Sequence, residues 1–181
     1  ASLKTLEKLQ MTPSSILDVG CGGGGFTRKL GRLYVDSRVN GIDLSLTAVN
    51  YAKTCNQLKN VDFEHCDLQD IPSKSYDIVM TTLVCHHLND QELIPFLKSC
   101  VRVAKKQVII NDLHRHPIAW AAFFLIAPLV FRNRLITHDG CLSVKRAFKR
   151  KDWNRYFNEM NVQGKISWHF PFRFVVTLEV F

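Results

Sequence analysis

The sequence predicts one α/β domain, a three-layer sandwich around a mostly parallel, seven-stranded sheet. Three observations predict it. Five short apolar or β-branched runs are separated by segments with helical periodicity, which is how βαβ units and a parallel sheet are written. The first run ends directly in a cluster of glycines. The last two runs flank Pro171 and alternate polar with apolar residues in part, as in an antiparallel pair. At 181 residues the chain is long enough for a single core and short for two.

The elements follow in order. SILDVG (15–20) is the first strand, and Phe26, Leu30 and Leu33 recur after it at i, i+4, i+7, the spacing of one helix face. RVNGID (38–43) is the second strand, and Ser45 is placed to cap a helix carrying Leu46, Val49 and Ala52. VDFEHCD (61–67) and YDIVMTT (76–82) are the third and fourth. Asn89 or Asp90 opens a helix with Leu93, Leu97, Cys100 and Val101 on one stripe, and QVIIND (107–112) is the fifth strand. Residues 117–131 carry no charge, begin at a proline suited to a helix start, and meet a second proline at 128. Trp153, Phe157 and Met160 mark a further amphipathic helix ahead of the final strand pair. The expected sheet therefore has five parallel strands in the order 3-2-1-4-5, with the two C-terminal strands beside them.

Composition excludes several classes. With 46% hydrophobic and 22% charged residues, the chain is not a disordered, collagen-like or coiled-coil sequence. No apolar run reaches the ~20 residues of a membrane span, and the N-terminus lacks the layout of a signal peptide. The six cysteines, at 21, 55, 66, 85, 100 and 141, are never close enough for a CxxC or a zinc spacing, so no metal site is expected. They read as free thiols of a reducing compartment, and the protein is expected to be cytoplasmic. The net charge is +8. Residues 132–155 hold eight of the cations against two acids, a solvated basic surface or a site for an anionic partner.

The chemistry concentrates at Asp18-Val-Gly20-Cys-Gly22-Gly-Gly24-Gly25, between a strand and a helix. Glycines there permit a tight turn and close approach of a ligand to backbone N–H groups. Gly20-x-Gly22-x-x-Gly25 fits a dinucleotide fingerprint. Asp18 favours a cationic ligand instead: a pyrophosphate would meet its carboxylate, whereas a sulfonium bearing an ammonium group would be attracted to it.

With these residues in place, ILDVGCGGG, GIDLS, HCDLQDIP and YDIVMTTLVCHHLND resemble, in order and spacing over about residues 12–112, the class I S-adenosylmethionine (SAM)-dependent methyltransferases. The subgroup is that of the ubiquinone and menaquinone biosynthesis enzymes and other small-molecule methyltransferases (types 11 and 12). NDLHRHP and the basic stretch after it are also similar to bacterial methyltransferases of unassigned substrate. The resemblance implies a Rossmann-like sheet ordered 3-2-1-4-5-7-6 with the last strand antiparallel, and SAM as cofactor. By position it assigns the methionine part to Asp18, Gly20, Gly22 and Gly24, and the ribose hydroxyls to Asp43. The adenine amino group falls to Asp67 and the backbone of Leu68. Ile42, Leu44 and Cys66 would pack on the adenine, and Thr81 and Thr82 would lie near the sulfonium. Only about 14 residues precede the first strand, fewer than the family's usual N-terminal segment, so its part in closing the site is expected to be altered.

Methyl transfer from a sulfonium is a displacement on an activated carbon, so alignment supplies much of the rate, and a base is needed only for a protonated nucleophile. No Asn/Asp-Pro-Pro-Tyr/Phe motif follows the fourth strand, which points away from amino acceptors and toward oxygen or carbon. The candidate catalytic bases are His87 and His114, at the ends of the fourth and fifth strands, which share one crevice in a doubly wound sheet. His86, Arg115, Trp120 and His138 are the candidate substrate residues. Residues 114–140 are expected to cap that crevice within a single domain, 1–181. Their uncharged run must bury against core, ligand or lipid. A small hydrophobic acceptor (phenol, quinone, isoprenoid or acyl) is the leading expectation. Three alternatives stand beside it: association with the inner face of a membrane, a nucleic-acid methyltransferase, and a non-catalytic SAM-binding subunit. No known nucleic-acid module is visible, which argues against the second of these.

Overall fold

The strands that carry the glycine turn and the acidic strand ends must lie side by side if they are to form one site. A computed structural model, which describes residues 2, 5, 6, 11–121, 124 and 142–180, shows that they do. Its strands are β1 (Ser15–Val19), β2 (Arg38–Asp43), β3 (Val61–His65), β4 (Tyr76–Thr82), β5 (Ala104–Leu113), β6 (Gly164–His169) and β7 (Arg173–Glu179). They form one sheet in the order β3-β2-β1-β4-β5-β7-β6. The first five pair in parallel. β7 runs antiparallel to both β5 and β6, as the partial alternation of the tail predicted.

The helices are α1 (Gly25–Leu33), α2 (Leu46–Thr54), α3 (Asp90–Val103) and α4 (Arg150–Met160). Successive residues of a strand face opposite sides, and the sheet is buried on both. Ile16, Val39, Ile78 and Met80 pack with Leu30 of α1 and with Val49 and Ala52 of α2. Leu17, Val19, Val79, Ile110 and Val176 pack with Leu93, Leu97 and Cys100 of α3 and with Trp153 and Phe157 of α4. This is the expected three-layer sandwich.

The caps fall where the sequence put them. Ala48 N donates to Ser45 Oγ at 3.3 Å. Asn89 accepts from Gln91 N and Glu92 N while Glu92 accepts from Asn89 N, a full capping box for α3. The chain turns at Phe170–Phe172 between β6 and β7, and residues 117–121 are helical. Phe124 apart, the rest of the expected cap, with Phe123, Phe131, Arg132, Arg134 and His138, lies outside the described residues, as does Cys141. The five cysteines among the described residues are free thiols. Among the described residues no helix is long and apolar enough to cross a membrane.

Candidate active site

The site grows from the C-terminal ends of β1, β2 and β4. Beyond β1 the backbone takes positive φ at Gly20 (71°) and Gly22 (52°), which favours glycine. A Cβ on Gly20 would lie 2.4 Å from Val84 Cγ2, whereas one on Gly22 would meet nothing within 4 Å. Gly20 is thus required by packing against the segment after β4, and Gly22 by its backbone alone. The turn is tied to β2, because Gly20 N and Cys21 N both donate to Ile42 O at 2.9 and 3.0 Å.

Asp43 ends β2 and is held by backbone at both oxygens. Gly22 N donates to Oδ2 and Ser45 N to Oδ1, each at 2.8 Å. Each carboxylate oxygen offers two lone pairs, so each retains one for a ligand. A cleft of about 360 Å³ opens beside it. Gly20, Asp43, Leu44, Asp67 and Leu68 line it. Ile42 and Cys66, the other residues expected against the adenine, line it too, and opposite them stand Leu83, Val84, His87 and Phe96. Asp67 caps a short turn through Gln69 N at 3.0 Å and keeps its second oxygen for another partner. Two acceptor-only carboxylates thus stand between apolar walls in a space of ligand size.

Other predicted residues lie elsewhere. Asp18 sits under the turn, 2% exposed, and accepts from Thr27 Oγ1 at 2.6 Å. Burial pushes its carboxyl up to about 7; nearby Asp43 adds to the rise and the Thr27 hydroxyl opposes it. It braces the start of α1 and does not line the cleft. Thr82 faces a second cavity, on the far side of Leu83. His86 is buried, its Nδ1 2.7 Å from Asp112 Oδ1; because a carboxylate only accepts, the proton sits on Nδ1. The His86 ring packs at a tilt of 38° against His87, centroids 4.1 Å apart, and of the pair His87 lines the cleft. Its imidazole is held below the usual histidine range by partial desolvation and by His86 and Arg146, with Asp112 opposing.

His114, Arg115 and Trp120 gather away from this cleft. Trp168 Nε1 donates to His114 Nδ1 at 3.3 Å, which occupies the lone pair of a neutral imidazole. Arg115 donates to Asp152 at 2.8 Å and, with Trp120, lines a smaller recess of about 220 Å³. Sequence reasoning missed Leu83, Val84 and Phe96 in the cleft and Asp112 behind His86. Phe96 carried a faint signal, as an extra apolar residue beside the Leu93–Leu97 stripe. Leu83, at φ 62°, carried none.

A doubly wound sheet with a glycine turn after its first strand and a carboxylate ending its second is the frame of a nucleoside-binding α/β domain. Residues 16–107 match the model of the methyltransferase domain family, and the chain belongs to that family. It is 32% identical over 91 residues to the malonyl-[acyl-carrier protein] O-methyltransferase of Bacillus anthracis, covering 49% of this chain and 34% of that protein. It is 26% identical over 157 residues to the mitochondrial ubiquinone biosynthesis O-methyltransferase of Saccharomyces cerevisiae, covering 83% of this chain and 49% of that one. The chain thus spans between a third and a half of the length of these relatives. Among solved structures, the plantazolicin methyltransferase BpumL in complex with a pentazolic desmethylPZN analog and SAH superposes with TM-score 0.78 at 15% identity, covering 99% of this chain and 81% of that one. A SAM-dependent methyltransferase from Aquifex aeolicus gives 0.73 at 18%, covering 98% and 89%. At such identities the likeness is one of fold.

Proposed function

We propose that this protein binds SAM in the cleft between Asp43, Asp67 and His87 and methylates an oxygen or carbon of a small, largely hydrophobic molecule. The observation that carries the reading is Asp43. Its two oxygens are fixed by backbone N–H groups at 2.8 Å, and each keeps a lone pair for one of two adjacent hydroxyls. Asp67 would take the adenine amino group, with Ile42 and Leu68 against the ring. Gly20, which lines the cleft, would lie against the amino-acid end. When bound, SAM supplies a methyl group on a sulfonium, already activated for displacement.

His87 is the proton acceptor for a hydroxyl nucleophile. Its depressed pKa keeps a lone pair free on the imidazole near pH 7, and that nitrogen holds the proton the acceptor gives up. His86, held by Asp112, is the ring against which His87 packs.

The test is incubation with methyl-labelled SAM and a panel of phenols, catechols and acyl carboxylates. Label is expected in an organic-extractable small product. Label found only in added RNA or DNA, or in no acceptor despite tight SAM binding, overturns the reading.

A further inference from the structure

A second cavity, of about 370 Å³, lies across Leu83 from the cleft, and Leu83 lines both. Thr82 at the end of β4, Asn111 near the end of β5, Arg173 at the start of β7 and Lys29 on α1 form its polar wall. Phe26, Phe170 and Pro171 form its apolar wall.

The polar groups here are unpaired. Buried polar atoms nearly always have a hydrogen-bond partner, yet Thr82 Oγ1 and Asn111 Oδ1 are buried with none among the described residues. Ser2 Oγ, on the same cavity, is in the same state. Asn111 is 7% exposed and Ser2 2%.

The charge is also one-sided. Lys29 and Arg173 line the cavity, and among the described residues no acid does. The carboxylate nearest to Arg173 in effect is Asp112, whose oxygens already accept from His86 Nδ1, His86 N and Leu113 N. Arg173 forms no ion pair among the described residues, so its planar set of donors is available to an anion.

Taking the functional reading above as its premise, we propose that this cavity seats the methyl acceptor. The acceptor would carry a carboxylate, held by Arg173 with Lys29 and the Thr82 hydroxyl, and an apolar body packed on Phe26 and Phe170. The methionine end of SAM offers the same carboxylate chemistry, so the test separates the two sources.

The probe is benzoate, with neutral benzamide as its control, titrated into the full chain with and without saturating S-adenosylhomocysteine (SAH). The readouts are the NMR signals of the Thr82 methyl and the Asn111 side-chain amide. Benzoate is expected to shift both saturably, and benzamide to bind at least tenfold more weakly. Arg173→Met should weaken benzoate at least tenfold and leave SAH affinity within twofold. Thr82→Val, close in shape, should weaken benzoate at least threefold, and it stands in for Arg173→Met should that variant fail to fold. No benzoate-dependent shift, or equal affinity for benzoate and benzamide, overturns the proposal. So does a tenfold loss of SAH affinity in Arg173→Met with 5′-methylthioadenosine binding unchanged, which would assign the cation to the methionine carboxylate. Failure of the wild type to bind SAH would instead fall on the functional reading, because the benzoate titration is read without SAH as well.

Discussion

Replacing Asp43 by Asn probes the site at its narrowest point. The carboxylate accepts from Gly22 N and Ser45 N, one on each oxygen, both at 2.8 Å. Asparagine keeps one oxygen, so its amide NH2 must face one of these N–H groups, donor against donor. One anchor is lost, and with it one acceptor for a ribose hydroxyl. Hydrogen bonds to a charged group contribute about 1.5–3 kcal/mol each. Loss of one such bond to the ligand, with slackening of the turn, should weaken SAH binding by about 2–4 kcal/mol, roughly 30- to 700-fold in Kd. The assay is calorimetric titration with SAH at 25 °C. Asp36→Asn serves as the control, an exposed acid outside the cleft. Asp43→Asn binding SAH within threefold of wild type would refute the assignment of the ribose to this carboxylate.

Four further outcomes follow from the same geometry. Gly20→Ala places a methyl 2.4 Å from Val84 Cγ2 at φ 71°, and should destabilise by about 1–3 kcal/mol in urea, with partial relief in a Val84→Ala background. Asp112→Ala strips a buried hydrogen-bond partner from His86 and should lower stability by about 1–3 kcal/mol, read by thermal and urea unfolding. Asp18, raised in the fold from 3.8 to about 7, makes the folded state hold a proton that the unfolded chain releases. Its contribution is fully present below pH 4 and is lost as pH rises through 7. Asp18→Asn should therefore flatten the fall in stability between pH 4 and 7, and an unchanged slope would contradict the buried acid. His87→Gln should cut turnover of phenolic acceptors while leaving SAH affinity intact, and the acid limb of the wild-type rate should have its midpoint below 6.5.

The sheet was legible because each strand is a short apolar run between helical periods. β2 and β4 begin and end as read from the sequence. β3 stops at His65, two residues early, because Asp67 turns to cap Gln69 N instead of continuing the ladder. β5 begins at Ala104, three residues early: Lys105 and Lys106 are exposed and polar, and they fall at an irregularity between the Tyr76–Ala104 and Ile78–Gln107 pairs with β4. In the site, Asp43 and Asp67 were legible as carboxylates directly after strands. The roles of Asp18 and His86 were not, because their partners, Thr27 and Asp112, meet them only once α1 and β5 are in place. His114, assigned to the crevice as a base, is tied instead to Trp168, a pairing that depends on β6 lying beside β7. Leu83, Asn111 and Arg173 meet around one cavity only because β4, β5 and β7 are neighbours, which no local pattern announces.

The central claim is that the cleft beside Asp43 is built for the nucleoside of SAM and not for a dinucleotide. Parallel titrations of the wild-type protein with SAH and with NAD, followed by calorimetry, test it most directly. One saturable site of micromolar affinity for SAH, and no heat above dilution for NAD, is the predicted result. Saturable NAD binding with none for SAH would contradict it.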